Sequence, residues 1–466
     1  MNTRELVLDT LLALERGEEY SHKLIKAVLD KYDYLDVRDK SFVKRLTEGT
    51  LERQLELDYY LDSCSSLPVR KMRPLIRCLM RMSVYQILYM DAVPDSAVCN
   101  EACKLAAKKG FQSLKGFVNG ILRSISRQKE NLPLPDSRKE PVKYLSVRYS
   151  MPEWLVELWM DEYGRKITET ILKGLLEVHP VSLRFSGRLS TQEKKDALRR
   201  IRSTGAEWKE SAYLPDVYLL EHGELNTLPG FREGMYTVQD VSSVLAVEAA
   251  GIGQKDFVVD VCAAPGGKSI LAAEKAGMGR VLARDISCEK VERMEENIRR
   301  MRVENIETEV FDGTQTDENL AGKADVVLLD VPCSGLGVIG KKRDIKYRAT
   351  LENAQNLTKL QKQIVRAGAA CVKPGGTLLY STCTIHRREN EDMVRFITRE
   401  LGFAPVSLRT ALPERVLEEK ERLQEDIRRT GIIHDTELTK EEEAACLQLL
   451  PGYMEADGFF MARFKK

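Results

Sequence analysis

At 466 residues the chain exceeds one ordinary hydrophobic core, so two or three domains are expected. Hydrophobic residues make up 43% and charged residues 31%, the balance of a folded globular protein, and no run of about 18 or more apolar residues offers a membrane span. The net charge is only +1, yet residues 1–150 hold 26 basic against 20 acidic side chains, a bias that suits nucleic acid.

The opening Met1-Asn-Thr-Arg-Glu-Leu6 does not read as a signal peptide, and none is expected. Ten cysteines are scattered without a Cys-x-x-Cys pair, which points to reduced thiols in a cytoplasmic protein. Cys99 and Cys103, four apart in an apolar helical pattern, read as core packing, and the five histidines are isolated, so no metal site is expected.

Residues 1–128 read as helices throughout. Leu6, Val7, Thr10, Leu11 and Leu14 recur at helical spacing, as do Val43, Leu46, Thr50 and Leu51. A further helix is predicted over Arg70–Tyr89, with Arg70, Arg73, Arg77 and Arg81 on one basic stripe. That stripe reads equally as a solvated face or, with Lys104, Lys108, Lys109, Lys115, Arg123 and Arg127, as a phosphate-contacting surface. The prolines of 129–144 predict a linker. A small α+β module is expected over 145–230, with helices at Pro152–Tyr163 and Thr191–Ile201 and strands at Val181–Phe185 and near Tyr218.

From 231 to 466 short apolar runs alternate with helical patterns: Phe257–Val261, Val281–Asp285, Val326–Asp330 and Thr377–Tyr380. Such alternation predicts an α/β domain with a parallel sheet. Residues 414–445 are highly charged and read as an exposed helical insertion.

The first of these strands runs into Cys262-Ala263-Ala264-Pro265-Gly266-Gly267-Lys268-Ser269, a turn whose glycines let a ligand approach the backbone. A phosphate-binding P-loop would need glycine where Cys262 stands. Asp285, Asp312 and Asp330 follow successive strands, and acids at the carboxyl edge of such a sheet converge on one crevice. Without a Gly-x-Gly-x-x-Gly motif, an adenosyl ligand lacking pyrophosphate is favoured over a dinucleotide.

Two thiols end the next strands, in Asp330-Val-Pro-Cys333-Ser-Gly and Tyr380-Ser-Thr-Cys383-Thr. A lone cysteine is usually a buried core residue. These two sit in polar turns where the sheet presents ligands. Carbon 5 of cytosine accepts a methyl group only after a thiolate adds to carbon 6, and cysteine suits that covalent step. Asp330, protonated or sharing a proton, is placed to hydrogen-bond N3 of the base. An amine methyltransferase needs no thiol and would carry an Asn/Asp-Pro-Pro-aromatic turn instead of Val331-Pro-Cys333. Spacing leaves open which sulfur attacks.

With Asp344-Ile-Lys346 and Asp457-Gly-Phe-Phe460, these motifs resemble the Sun/Fmu family of bacterial 16S rRNA cytosine-5 methyltransferases nearly end to end. The resemblance implies a class I S-adenosylmethionine-dependent methyltransferase domain with a Rossmann-like fold. It is preceded by the α+β module and by an all-α, NusB-like RNA-binding domain, marked here by Phe117-Val-Asn-Gly-Ile-Leu-Arg123. It implies that residues 262–268, Asp285, Asp312 and Asp330 contact S-adenosylmethionine, that Cys383 attacks, and that Cys333 helps release the product. It also implies cytosine 967 of 16S rRNA as target. The expected partner is that RNA, with neither DNA nor a membrane involved, and the expected state is a monomer. Two departures stand out: Val331 replaces a more usual alanine, and Lys341-Lys-Arg343 stands where His-Pro is common. The competing readings are a non-catalytic RNA-binding or antitermination factor, for which the thiols have no use, and a cytosine-5 enzyme acting on tRNA or DNA. A flexible RNA is favoured because the base must leave its stack.

Overall fold

The computed structural model describes residues 2–17, 19–177, 180–223, 225, 228–432 and 437–466. The chain divides into two compact units, one made of residues 1–161 with 339–348 and the other of 162–338 with 349–466.

In the first unit, helices Thr3–Glu15, Ser21–Lys31, Val37–Glu52, Gln54–Cys64, Pro74–Tyr89, Asp95–Lys108 and Lys115–Gln128 follow one another. Short polar side chains start two of them: Asn2 accepts from Arg4 N at 2.9 Å, and Asp36 from Asp39 N at 2.7 Å. Pro74 opens the central helix, whose Ile76, Leu79, Met80, Val84 and Ile87 are all buried. The stretch 129–144 is no linker between separate bodies. Its last residues belong to helix Pro141–Arg148, which buries Leu145 and Val147, and Ser150 Oγ accepts from Leu55 N at 3.0 Å.

The arginine stripe is also corrected. Arg70 and Arg73 precede the helix. Arg77 Nε donates to Glu15 at 2.6 Å, and Arg81 forms a two-pronged pair with Asp58 at 2.7 and 2.6 Å. Half of the predicted basic face therefore holds helices together.

Residues 339–348 complete this unit. Asp344 accepts from Ser21 N at 3.0 Å and Oγ at 2.6 Å, and Tyr347 donates to Leu51 O at 2.7 Å. Lys346 Nζ reaches the carbonyls of Glu52 and Ser150 at 2.6 and 2.5 Å, two groups left over where helical segments end. Burial pushes this lysine down to about 7.

In the second unit, strands β1 (Val181–Phe185), β2 (Glu207–Glu210), β3 (Val217–His222) and β4 (Tyr236–Val238) form an antiparallel sheet in the order β2-β3-β1-β4. Helix Thr191–Arg202, opened by a Ser190–Glu193 capping box, buries Ala197 and Ile201 with Leu183, Phe185 and Tyr236 of this sheet.

The larger sheet contains β5 (Phe257–Asp260), β6 (Arg280–Asp285), β7 (Ile306–Val310), β8 (Ala324–Asp330), β9 (Val372–Thr382), β10 (Ala404–Pro405), β11 (Cys446–Leu449) and β12 (Phe459–Lys465). Its order is β10-β12-β9-β8-β5-β6-β7, with β11 also paired to β12. The five strands from β9 to β7 are mutually parallel, as expected. Strand β12 runs antiparallel to β9, β10 and β11, so the sheet is mixed rather than parallel throughout. The chain order reverses between β5 and β8, and ligands of such sheets bind outside the carboxyl ends at that switch point. Within 414–445, helix Glu414–Arg429 is amphipathic rather than wholly exposed, burying Val416 and Leu423. Among the described residues no helix is long and apolar enough to cross a membrane.

Candidate active site

The carboxyl ends of β8, β5, β6 and β7 carry Asp330, Asp260, Asp285 and, two residues beyond β7, Asp312. In sheet order these acids line one edge, and Asp260 was not among the residues singled out from sequence. It is fully buried. Ser269 Oγ donates to its Oδ2 at 2.6 Å, while Oδ1 has no hydrogen-bond partner. Burial raises this carboxyl to about 7, with Asp330 and Asp285 adding to the effect and Ser269 opposing it. Asp285 accepts from Ser287 N at 3.3 Å and Lys290 Nζ at 3.4 Å. Asp312 is held below the usual carboxylate range by the backbone N–H and hydroxyl of Thr314, at 2.9 and 2.7 Å.

The 262–268 turn lies beside them. Ala263 N donates to Arg284 O at 2.7 Å, and Pro265 O accepts from Asn297 at 3.1 Å. Gly266 has φ +96°, and a Cβ there would lie 2.8 Å from Met294 Cγ. No other residue type fits this corner without displacing Met294. Gly267 then begins helix Gly267–Ala276, directing backbone N–H groups outward. Cys262 is half-buried, and burial drives its thiol far above the usual range. The turn thus brings a helix N-terminus and a side-chain-free Gly267 beside Asp260, a buried carboxyl with one oxygen unpartnered. Those features fit a compact cationic, nucleoside-bearing ligand.

Lys268 closes this turn and faces the end of β8. Its Nζ lies 2.7 Å from Asp330 Oδ2, 3.3 Å from Ser243 Oγ and 5.4 Å from the Phe459 ring centre. Burial opposes its charge, but Asp330, Asp260 and Cys383 more than offset this and raise it above the ordinary lysine value. Asp330 Oδ1 accepts from Ser381 Oγ at 2.8 Å, its partner across β8 and β9. Both oxygens of Asp330 are therefore engaged.

Cys333 Sγ and Cys383 Sγ lie 3.3 Å apart, in hydrogen-bond contact rather than joined in a disulfide. The hydrogen bond to Cys383, then burial, then the charges of Cys383 and Glu389 hold the Cys333 thiol well above its ordinary value. The two sulfurs, Asp330 and Lys268 are thus brought to adjacent strand ends, while Asp285 and Asp312 stand farther along the edge.

Beneath the thiols lie residues that sequence reading passed over. Glu389 is fully buried, and its Oε2 accepts from Ser334 N and Gln361 Nε2, both at 2.9 Å. The same Gln361 nitrogen donates to Pro332 O at 2.9 Å. His386 Nδ1 is 2.8 Å from Glu162 Oε1, which raises this histidine against the effect of burial. A visible signal was the charged run Arg387-Arg388-Glu389-Asn390-Glu391 immediately after the Cys383 turn.

Residues 250–465 match the family described as 16S rRNA methyltransferase RsmB/F, and residues 1–127 match the NusB family. The "Probable ribosomal RNA small subunit methyltransferase B" of Bacillus subtilis strain 168 is 33% identical, covering 100% of this chain and 99% of its own. The solved structure of PH0851 aligns at TM-score 0.76 and 22% identity over 100% of this chain and 99% of its own. NSun6 from Pyrococcus horikoshii, solved with an S-adenosylmethionine analogue, aligns at TM-score 0.55 and 21% identity over 68% of this chain and 98% of its own. The architecture is accordingly that of a Rossmann-like methyltransferase preceded by a NusB-like helical domain.

Proposed function

Because the chain belongs to the RsmB/F family of small-subunit rRNA methyltransferases, we propose that it methylates carbon 5 of a cytosine in 16S rRNA through a covalent link from Cys383 to carbon 6. Cytosine 967 is the target that the resemblance implies. The observation that carries the reading is the pair of thiols 3.3 Å apart beside the Lys268–Asp330 ion pair. A non-catalytic RNA-binding factor has no use for such a group.

The 262–268 turn, Asp260, Asp285 and Asp312 would hold S-adenosylmethionine, with Asp330 closing the edge toward the base. When bound, that cofactor supplies the electrophilic methyl group. Cys383 adds as thiolate to carbon 6, and the positive charge of Lys268 favours the ionised sulfur. Electron density moves to carbon 5, which becomes enamine-like and nucleophilic. Both Asp330 oxygens already accept hydrogen bonds, and N3 of a neutral cytosine has no proton to give, so Asp330 brings the shared proton and exchanges one of these contacts for N3. After methylation, carbon 5 loses its proton, the freed electron pair forms the 5,6 double bond, and the carbon–sulfur electrons return to Cys383. Cys333 assists this last step. The base must be flipped out of its stack to reach the thiols, at a cost of a few kcal/mol that is least in a flexible loop. A cytoplasmic monomer acting on this RNA is the corresponding working form.

The test compares two variants on unmethylated 16S rRNA. Cys383→Ala should abolish methylation while S-adenosylmethionine still binds, and Cys333→Ala should accumulate a denaturant-resistant protein–RNA adduct. Near-normal turnover by Cys383→Ala rejects the covalent route, and an adduct with Cys383→Ala reverses the two thiols. Bisulfite sequencing of rRNA from a strain lacking the gene identifies the nucleotide.

A further inference from the structure

Cys333 sits between two peptide bonds, and the structure grips both. The carbonyl before it, Pro332 O, accepts from Gln361 Nε2 at 2.9 Å. The N–H after it, on Ser334, donates to Glu389 Oε2 at 2.9 Å, and the same carboxylate oxygen binds Gln361 Nε2 at 2.9 Å. Glu389 and Gln361 are both fully buried. One closed triangle of hydrogen bonds thereby sets the direction in which the Cys333 side chain leaves the backbone. Two further bonds tie this turn to that of the other thiol: Ser334 Oγ to Thr384 Oγ1 at 2.7 Å, and Gly337 N to Cys383 O at 3.1 Å.

We propose that Glu389, with Gln361, is a positioning residue that aims the Cys333 thiol at the Cys383 sulfur for product release. This rests on the covalent route above. The remaining oxygens of the clamp, Glu389 Oε1 and Gln361 Oε1, are buried without hydrogen-bond partners. A turn held for stability alone is served better by groups that leave nothing buried and unsatisfied. A carboxylate here is retained because it accepts two donors at once in a fixed geometry, which no smaller neutral side chain does.

In the step being positioned, atoms balance through the thiol pair. As the carbon 6–sulfur bond breaks, Cys333 gives its proton to the departing Cys383 sulfur across 3.3 Å and takes the proton leaving carbon 5. Both residues finish as neutral thiols, and the electron pair of the carbon–hydrogen bond becomes the 5,6 double bond. Such a relay needs Cys333 protonated beforehand, and Cys383, burial and the charge of Glu389 all favour that state.

The test uses the full chain with S-adenosylmethionine and unmethylated 16S rRNA, reading turnover and denaturant-resistant adduct together. Glu389→Ala should slow turnover on the order of 100-fold, the loss expected of a misplaced reacting group, and accumulate adduct as Cys333→Ala does. Glu389→Gln, which keeps an acceptor for Ser334 N, should recover some of the rate. If Glu389→Ala does not fold, Gln361→Leu carries the test, because it leaves the Glu389–Ser334 bond in place and should still accumulate adduct. Slow turnover without adduct, or turnover within about threefold of wild type, overturns the positioning role if Cys333→Ala traps RNA beside it. Absence of adduct even with Cys333→Ala instead defeats the covalent reading beneath it.

Discussion

Lys268 Nζ lies 2.7 Å from Asp330 Oδ2, joining the turn after β5 to the end of β8 across the switch point of the sheet. The pair couples the expected cofactor turn to the expected base site. Replacing the ammonium with an isosteric apolar group, Lys268→Met, should lower methyl transfer at least about 100-fold. Asp330 keeps Ser381 as a donor, so the fold should survive. Radiolabelled methyl transfer beside a circular dichroism melt checks this, and wild-type turnover would contradict it.

Gly266→Ala should destabilise the second unit. The residue combines φ +96° with a Cβ position 2.8 Å from Met294 Cγ. Strain of this kind costs about 1–3 kcal/mol, and S-adenosylmethionine affinity should fall with it. Urea unfolding and calorimetric titration read the two effects, and an unchanged urea midpoint would show that the corner relaxes freely.

Asp260 gives a pH signature. The unfolded carboxyl releases its proton near pH 4, whereas burial delays this to about 7 in the folded chain. Between these limits the folded state holds the extra proton, so stability falls as pH rises, and the loss is complete above 7. Asp260→Asn cannot ionise. Its melting temperature should therefore gain on wild type from pH 4 to 7 and hold that gain above. A difference independent of pH would contradict the assignment. Taking the difference also cancels Glu391, another buried carboxyl raised to about 7.

Arg81→Ala should destabilise the helical unit by about 3–5 kcal/mol, since it strands Asp58, whose carboxyl burial already pushes up. Charge reversal at Arg77 should likewise act on melting rather than on RNA affinity. The exposed Arg70 is the contrasting case, and its reversal should flatten the salt dependence of RNA binding. Filter binding at several salt concentrations separates the two, and equal effects on affinity would restore a shared basic face.

The last case marks where sequence reasoning stops. Helical spacing places Arg77 and Arg81 on one face, but the face is covered by Glu15 and Asp58, 62 and 23 residues away. Periodicity is local and partners are not. The strands and the 262–268 turn were legible because alternation, glycine and strand-end acids are local signals. Asp260 was not, for it reads as one more strand residue. The clamp around Cys333 was hidden for the same reason, since Gln361 looks like any residue of helix Leu351–Cys371. Strand β12 was missed as an antiparallel partner because its apolar run, Phe459–Lys465, carries no mark of direction.

Residues 339–348 have a bearing on synthesis. The helical unit is encoded first, yet Ser21, Glu52 and Ser150 find Asp344 and Lys346 only after the intervening chain has been made. At about 5–20 residues per second, that delay lasts on the order of tens of seconds. During it the nascent unit exposes an unfilled seam of helix ends and polar groups on the ribosome. An N-terminal fragment ending at Asp161 should mimic this interval, and supplying the 339–348 peptide in trans should raise its melting temperature.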